Sequence, residues 1–187
     1  PYTTLFRSHA ILDHHQGDLH KYKKRYETAL EYYGRALAEY RQAGKRRDQA
    51  DVLNAIGETY LELGRIPIAL DHFTRAKDTA EQIGSRSELA RALAGIAAVD
   101  REYGAYDLAQ SRYGDALDLV RAIDDPRLEA QIMDGVARTQ LARGNPEAAR
   151  FSWRLAVLRY EEIGLDEFAE EIRIKLETMG GLSGGID

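Results

Sequence analysis

The chain contains no cysteine, only four prolines and two methionines, and a single tryptophan among 187 residues. Without cysteine there is no disulfide framework and no thiolate metal site, and a reducing cytoplasm is the simplest compartment to expect. No stretch approaches the roughly 18 consecutive apolar residues of a membrane helix, so no membrane partner is expected. The opening residues lack a basic region followed by an apolar block, and no signal peptide is visible. Cationic residues are not in excess either. Lys and Arg number 26 against 31 Asp and Glu, and the net charge of −5 argues against a general nucleic-acid binder. The glycines form no phosphate-cradling loop or dinucleotide fingerprint. Ser85, Ser87, Ser111 and Ser152 lack the context of a nucleophile elbow. Nothing marks a catalytic pair of carboxylates, so no enzymatic activity, cofactor or metal is expected. What remains is a 44% hydrophobic, 30% charged composition, that of a soluble globular protein.

That composition is organised by repetition. Ala10, Ala50, Ala90 and Ala130 fall forty residues apart, as do Leu53, Leu93 and Met133, and Ile56, Ile96 and Val136. Gly64, Gly104 and Gly144 share one column, and Ala29, Ala69, Ala109 and Ala149 the next. Tyr33, Phe73, Tyr113 and Trp153 form an aromatic column, followed by Ala36, Ala76, Ala116 and Ala156. Each row reads as two amphipathic helices. In the second row Ala50, Leu53, Ile56, Gly57, Tyr60 and Leu63 step by three and four, and Ile66, Ala69, Leu70, Phe73, Ala76 and Ala80 do the same. Glycine at 64, 104 and 144 suits a left-handed cap that ends a helix. Asp125-Pro126 and Asn145-Pro146 read as an N-cap followed by the first helical turn. The rows run at about 9–48, 49–88, 89–128 and 129–168, and a final amphipathic helix over 166–179 reads as the cap such arrays require. A flexible tail is expected over 180–187.

Two regions at the start stand apart. Residues 1–8, from Pro1 to Ser8, resemble the translation of a short-read sequencing adapter and are set aside from fold reasoning. The first helix of the first row, roughly His9 to Lys23, carries Asp13 and Gln16 where other rows have Leu or Ile. Its apolar Leu12, Leu19 and Tyr22 lie one position out of register, so this helix is expected either to be exposed or to pack differently.

The columns Leu53, Ile56-Gly57, Tyr60, Ala69, Phe73 and Ala76 resemble the tetratricopeptide repeat over roughly residues 9–179. The period is forty rather than about 34, which the resemblance assigns to a longer second helix and loop. Rows of this length are similar to the repeat tails of bacterial transcription regulators. Ala97 and Ala137 depart from the family's glycine, and Asp100 and Gln140 from its tyrosine. The fold class implied is all-α, an α-solenoid of antiparallel helix pairs with about four repeats and a capping helix. The function implied is a cytoplasmic protein–protein interaction scaffold, the regulatory part of a larger protein, binding a peptide or protein segment or another part of its own full-length chain.

In that family the first helices line a concave groove. Carried over, the partner-binding residues are Asp51, Asn54, Glu58 and Glu62 in the second row, Arg91 and Arg101 in the third, and Gln131, Asp134 and Arg138 in the fourth. Asn54 matches a position where relatives place an amide that grips a peptide backbone, and an amide suits that work because it both donates and accepts. The mixture of charges implies a partner carrying both signs. Two other readings stay open: a self-associating structural array, and a nucleic-acid surface built from Lys21, Lys23, Lys24 and Arg25 with Lys45, Arg46 and Arg47. His9, His14, His15 and His20 are spaced wrongly for metal pairs on one helix and are expected to be solvent-exposed, with His72 alone on a helix surface.

Overall fold

The computed structural model describes the backbone of residues 2–181 and the side chains of residues 9–179. Among the described residues there are nine α-helices and no strand: α1 (Tyr2–Tyr22), α2 (Tyr26–Gln42), α3 (Arg46–Glu62), α4 (Ile66–Ile83), α5 (Arg86–Glu102), α6 (Tyr106–Arg121), α7 (Pro126–Ala142), α8 (Pro146–Glu162) and α9 (Asp166–Gly181). The side chains of residues 1–8 and the expected tail from residue 182 onward lie outside the described residues. Gly180 and Gly181 belong to the last turn of α9.

The chain turns every twenty residues, at twice the frequency of the sequence rows. Lys24, Gly44, Gly64, Gly84, Gly104, Asp124, Gly144 and Gly164 all have φ between 53° and 85°. At Gly64 the N–H reaches the Leu61 carbonyl at 2.9 Å, and the Arg65 N–H reaches back to Tyr60 at 2.9 Å. The pair satisfies carbonyls that the helix end would otherwise leave bare. From the second row on, first and second helices are of nearly equal length, 17 and 18 residues in the second, 17 and 16 in the third and 17 and 17 in the fourth. The long period is therefore not confined to the second helix. The expected N-caps are present: Asp125 accepts from the Leu128 N–H at 3.0 Å and Asn145 from the Ala148 N–H at 3.2 Å.

Two compact units divide the chain between Val99 and Asp100. In the first, α1 packs on α2, α2 on α3 and α3 on α4. Ala29, Tyr33, Ala36, Ala69, Phe73 and Ala76 are all fully buried. The two rings lie where a first helix has only hydrogen for a side chain. A Cβ built on Gly17 would stand 2.4 Å from Tyr33, and one on Gly57 2.7 Å from Phe73. The other side of Phe73 meets Gly95 of α5, whose Cβ would fall at 2.3 Å. The sequence columns identify Gly57 but not Gly95. Helix α1 packs as a regular first helix. Its Asp13 is held by a two-pronged bond from Arg35 at 2.8 and 3.0 Å, and its Gly17 by Tyr33. The out-of-register residues turn outward, leaving Leu12 55% and Tyr22 74% exposed.

In the second unit α6 packs on α7, α7 on α8 and α8 on α9. Tyr113 sits against Gly135, where a Cβ would meet its hydroxyl at 2.6 Å. Trp153 lies in a cluster with Ala137, Ala149, Ala156, Ala169 and Ile172. Asp100, which stands where the tyrosine of the repeat pattern would be, is buried and accepts a hydrogen bond from Arg112. That bond explains how the polar replacement is tolerated.

Two of these turn residues are not glycine, Asp124 and Lys24, and Lys24 is the less suited of the two to a left-handed turn. It holds a left-handed conformation with a side chain that disfavours it, at a cost of about 1 kcal/mol. Lys24→Gly is expected to raise stability by about 0.5–1 kcal/mol and the melting midpoint by about 2–4 °C. Thermal denaturation followed by circular dichroism measures it.

Candidate interaction face on the first helices

Repeat columns 51, 54 and 58 step along one edge of α3 by helical spacing, and the structure gathers charge there. In the first unit the Lys21 ammonium of α1 meets the Glu58 carboxylate of α3 at 2.5 Å. Asp51 accepts from Arg91 of α5 and stands 4.0 Å from the His14 ring of α1. Three successive first helices are thus tied by ion pairs along a shared face. Burial works against the charge on Glu58, but Lys21 and Arg91 beside it outweigh burial and hold its carboxyl below the usual range. The same competition leaves Lys21 raised, since burial is outweighed by Glu58 and Asp18. Glu62, one turn further along α3, is exposed.

Asn54 is placed differently from the exposed groove position expected of it. Its side chain is wholly buried, and its amide nitrogen donates to the Glu88 backbone carbonyl of α5 at 3.1 Å. The amide oxygen is buried with no hydrogen-bond partner among the described residues. Glu88 in turn accepts from Arg47 at 3.1 Å and from Ser85. Burial opposes ionisation of Glu88, and those hydrogen bonds more than reverse the effect.

In the second unit, Asp134 of α7 is the centre. It accepts from the Trp153 indole N–H at 2.7 Å and from Lys175 of α9 at 2.8 Å, and pairs with Arg138 at 2.9 Å. Burial again opposes its charge, and Arg138 and Lys175 again win, so its pKa is lowered. Arg101 lies against Glu102 at 2.8 Å, and Gln131 is exposed. Sequence reasoning therefore names Asp51, Glu58 and Arg91 as members of one face, and the structure brings them together. It misses Lys21, Lys175 and Trp153 as the partners of these carboxylates and of Asp134. Lys21 belongs to a basic run at a helix end, and Lys175 lies on the capping helix, outside the aligned rows.

Other groups that the sequence singles out have structural partners. His14 packs edge-on against Tyr33 and Tyr40, and His20 stacks on Tyr32 at 5.2 Å, so neither is the solvent-exposed residue expected. His72 stacks on Tyr60 at 5.5 Å, and burial together with Arg75 lowers its pKa. Of the basic runs, Lys21 and Arg47 are spent on carboxylates and Arg46 donates to Gln82. Among the described residues no group of three or more His, Cys, Asp or Glu is placed to hold a metal ion, and no helix is long and apolar enough to cross a membrane.

Residues 8–82, the first two rows, match the family model of the tetratricopeptide repeat. The fold is a tetratricopeptide array. No curated protein matches the chain in sequence. Among solved structures, a Rap protein complexed with competence and sporulation factor aligns at TM-score 0.78 and 15% identity, over 92% of this chain and 50% of its own. The Rap conjugation gene regulator of plasmid pLS20, in complex with the Phr* peptide, aligns at 0.68 and 17%, over 92% and 53%. Aspartyl phosphate phosphatase F from Bacillus subtilis aligns at 0.67 and 14%, over 100% and 54%. The chain spans about half the length of these three solved structures, and at such identities the likeness is one of fold.

The lowered pKa values of Asp134 and Glu58 fix the sign of a pH effect. Each contributes stability in full above its unfolded value near pH 4, and that contribution is lost as pH falls through the lower folded value. The melting midpoint is expected to fall steeply below about pH 4, and less steeply in Asp134→Asn. A series of thermal melts across the acid range checks both.

Proposed function

We propose that this chain is a non-catalytic binding scaffold that takes an extended peptide or protein segment along its first-helix face. One observation carries the reading. Stacking needs only small and apolar residues, yet this face holds partly buried ion pairs and, in Asn54, a buried acceptor without a donor. An unsatisfied buried acceptor is uncommon in a folded protein. A peptide N–H is a donor of the kind this acceptor lacks. Of the similar solved structures, one is described as a complex with the Phr* peptide and another as a complex with competence and sporulation factor, which supports the reading by analogy of fold. The partner carries both charges, complementing Asp51, Glu58, Glu62, Arg91, Arg101, Gln131, Asp134 and Arg138. It is supplied by another protein or by another part of the same polypeptide. We take residues 9–179 as one array ended by α9, in the manner of a regulator's repeat tail.

The test is a library of extended peptides of mixed charge, screened by fluorescence anisotropy. Binders are expected to weaken by about tenfold or more on Arg91→Glu, which leaves Asp51 and Glu58 without their shared cation. Circular dichroism should remain helical. Binders that ignore Arg91→Glu and Asn54→Ala together would remove the face from consideration.

A second reading is self-association through α1. Leu12 and Leu19 are exposed, whereas the corresponding residues Val52, Ile132, Thr59, Val99 and Thr139 are buried. Light scattering decides it. A dimer that Leu12→Glu with Leu19→Glu converts to monomer supports association, and a concentration-independent monomer dismisses it.

A further inference from the structure

The second helices share one pattern of burial. At two outward positions in each of α2, α4 and α6 the side chains point to solvent, and they are Glu31 and Ala38, Asp71 and Asp78, and Ser111 and Asp118. Between the members of each pair stand Arg35, Arg75 and Asp115. All of these residues are polar except Ala38, and none is large and apolar. Helix α8 breaks the rule at all three positions. It carries Phe151, Leu155 and Leu158, of which Phe151 is 63% and Leu158 53% exposed. Spaced by four and three, the three side chains form a stripe along one face of α8. The exposed apolar face of α1 is of a different kind, because the equivalent residues in other rows are buried by stacking. No stacking unit would cover the α8 stripe, since the columns of Phe151 and Leu158 face solvent in every other row.

The surrounding charge specifies what would cover it. Arg154 lies inside the stripe, exposed and without an ion-pair partner among the described residues. Arg150 and Arg159 stand at its edges, engaged with Glu147 and with Glu129 and Glu162. A second copy is a poor occupant. Two α8 helices crossed antiparallel about Leu155 would set Arg150 against the other copy's Arg159 and Glu147 against its Glu162, with both Arg154 side chains near the axis. Like charges placed so repel.

The geometry points to α8 as a docking face for an amphipathic helix of another protein, one with an apolar stripe edged by acidic residues. Its apolar side chains cover Phe151, Leu155 and Leu158, and its carboxylates pair with Arg154 from both sides. This face is separate from the first-helix face and stands or falls independently of the peptide reading above.

The probe is a stapled amphipathic helix with a leucine stripe and glutamate edges, paired with a version edged by lysine. Fluorescence anisotropy is expected to show the glutamate helix binding at least about tenfold more tightly than the lysine helix. Binding should be lost in the double variant Phe151→Ser with Leu158→Ser, whose exposed positions leave the helical circular dichroism unchanged. Arg154→Glu should reverse the preference between the two probes. Equal binding of both probes, or binding that survives the double variant, overturns the proposal. So does a wild-type dimer in light scattering that the double variant converts to monomer, because the occupant would then be a second copy.

Discussion

The contact on which the rest depends is an aromatic ring resting on a glycine. Tyr33 lies against Gly17, Phe73 between Gly57 and Gly95, and Tyr113 against Gly135. Each ring is fully buried or nearly so, and each glycine sits in the middle of a first helix. A mid-helix glycine ordinarily weakens a helix by about 1 kcal/mol relative to alanine. Here that cost is offset by burying a large ring at a separation that a methyl group would forbid. The alanines at 29, 69, 109 and 149, fully buried without exception, set an equally close approach. Ring, glycine and alanine together fix the distance between neighbouring helices, and the left-handed turn every twenty residues fixes their alternation.

Once small residues and rings have taken the core, the polar residues on the first helices are free of that task. Their positions are set by the stacking all the same. Lys21, Glu58, Arg91 and Asp51 sit on three different helices and meet only because α1, α3 and α5 are held in register. Partial burial strengthens each attraction and raises the cost of any unmatched charge. The lowered pKa values of Glu58 and Asp134 express that balance, in which cations nearby outweigh burial. The outer faces of the second helices feel none of this, which is why the apolar stripe of α8 stands out against the polar and small residues at the same positions in α2, α4 and α6.

The architecture was legible in the sequence because every row repeats it. The columns of Ala69, Phe73 and Ala76 imply antiparallel helix pairs, and the caps at Asp125 and Asn145 lie where their residue types place them. What was not legible falls into two kinds. Gly95 and Gly135 belong to a column whose other members are His15 and Ala55, so glycine recurs there in only two of the four rows. Arg91 meets Asp51, Lys21 meets Glu58 and Lys175 meets Asp134 from helices about forty residues away, and a column records what repeats rather than what touches. Asn54 shows the second kind most clearly. Its residue type implies a free amide, while the carbonyl of Glu88, a backbone group with no signature in the sequence, takes its N–H. Likewise the out-of-register apolar residues of α1 proved to be outward-facing because Asp13 finds Arg35 and keeps the helix in register.

The most direct test of the ring-on-glycine contact compares two glycine-to-alanine substitutions in mid-helix by denaturant unfolding. A Cβ at Gly95 would stand 2.3 Å from the Phe73 ring, whereas one at Gly114 would meet nothing within 4 Å. Helix propensity alone favours alanine at both by up to about 1 kcal/mol. Gly114→Ala is expected to gain that stability, and Gly95→Ala to lose about 1–3 kcal/mol through overpacking. A Gly95→Ala variant as stable as Gly114→Ala would contradict the account.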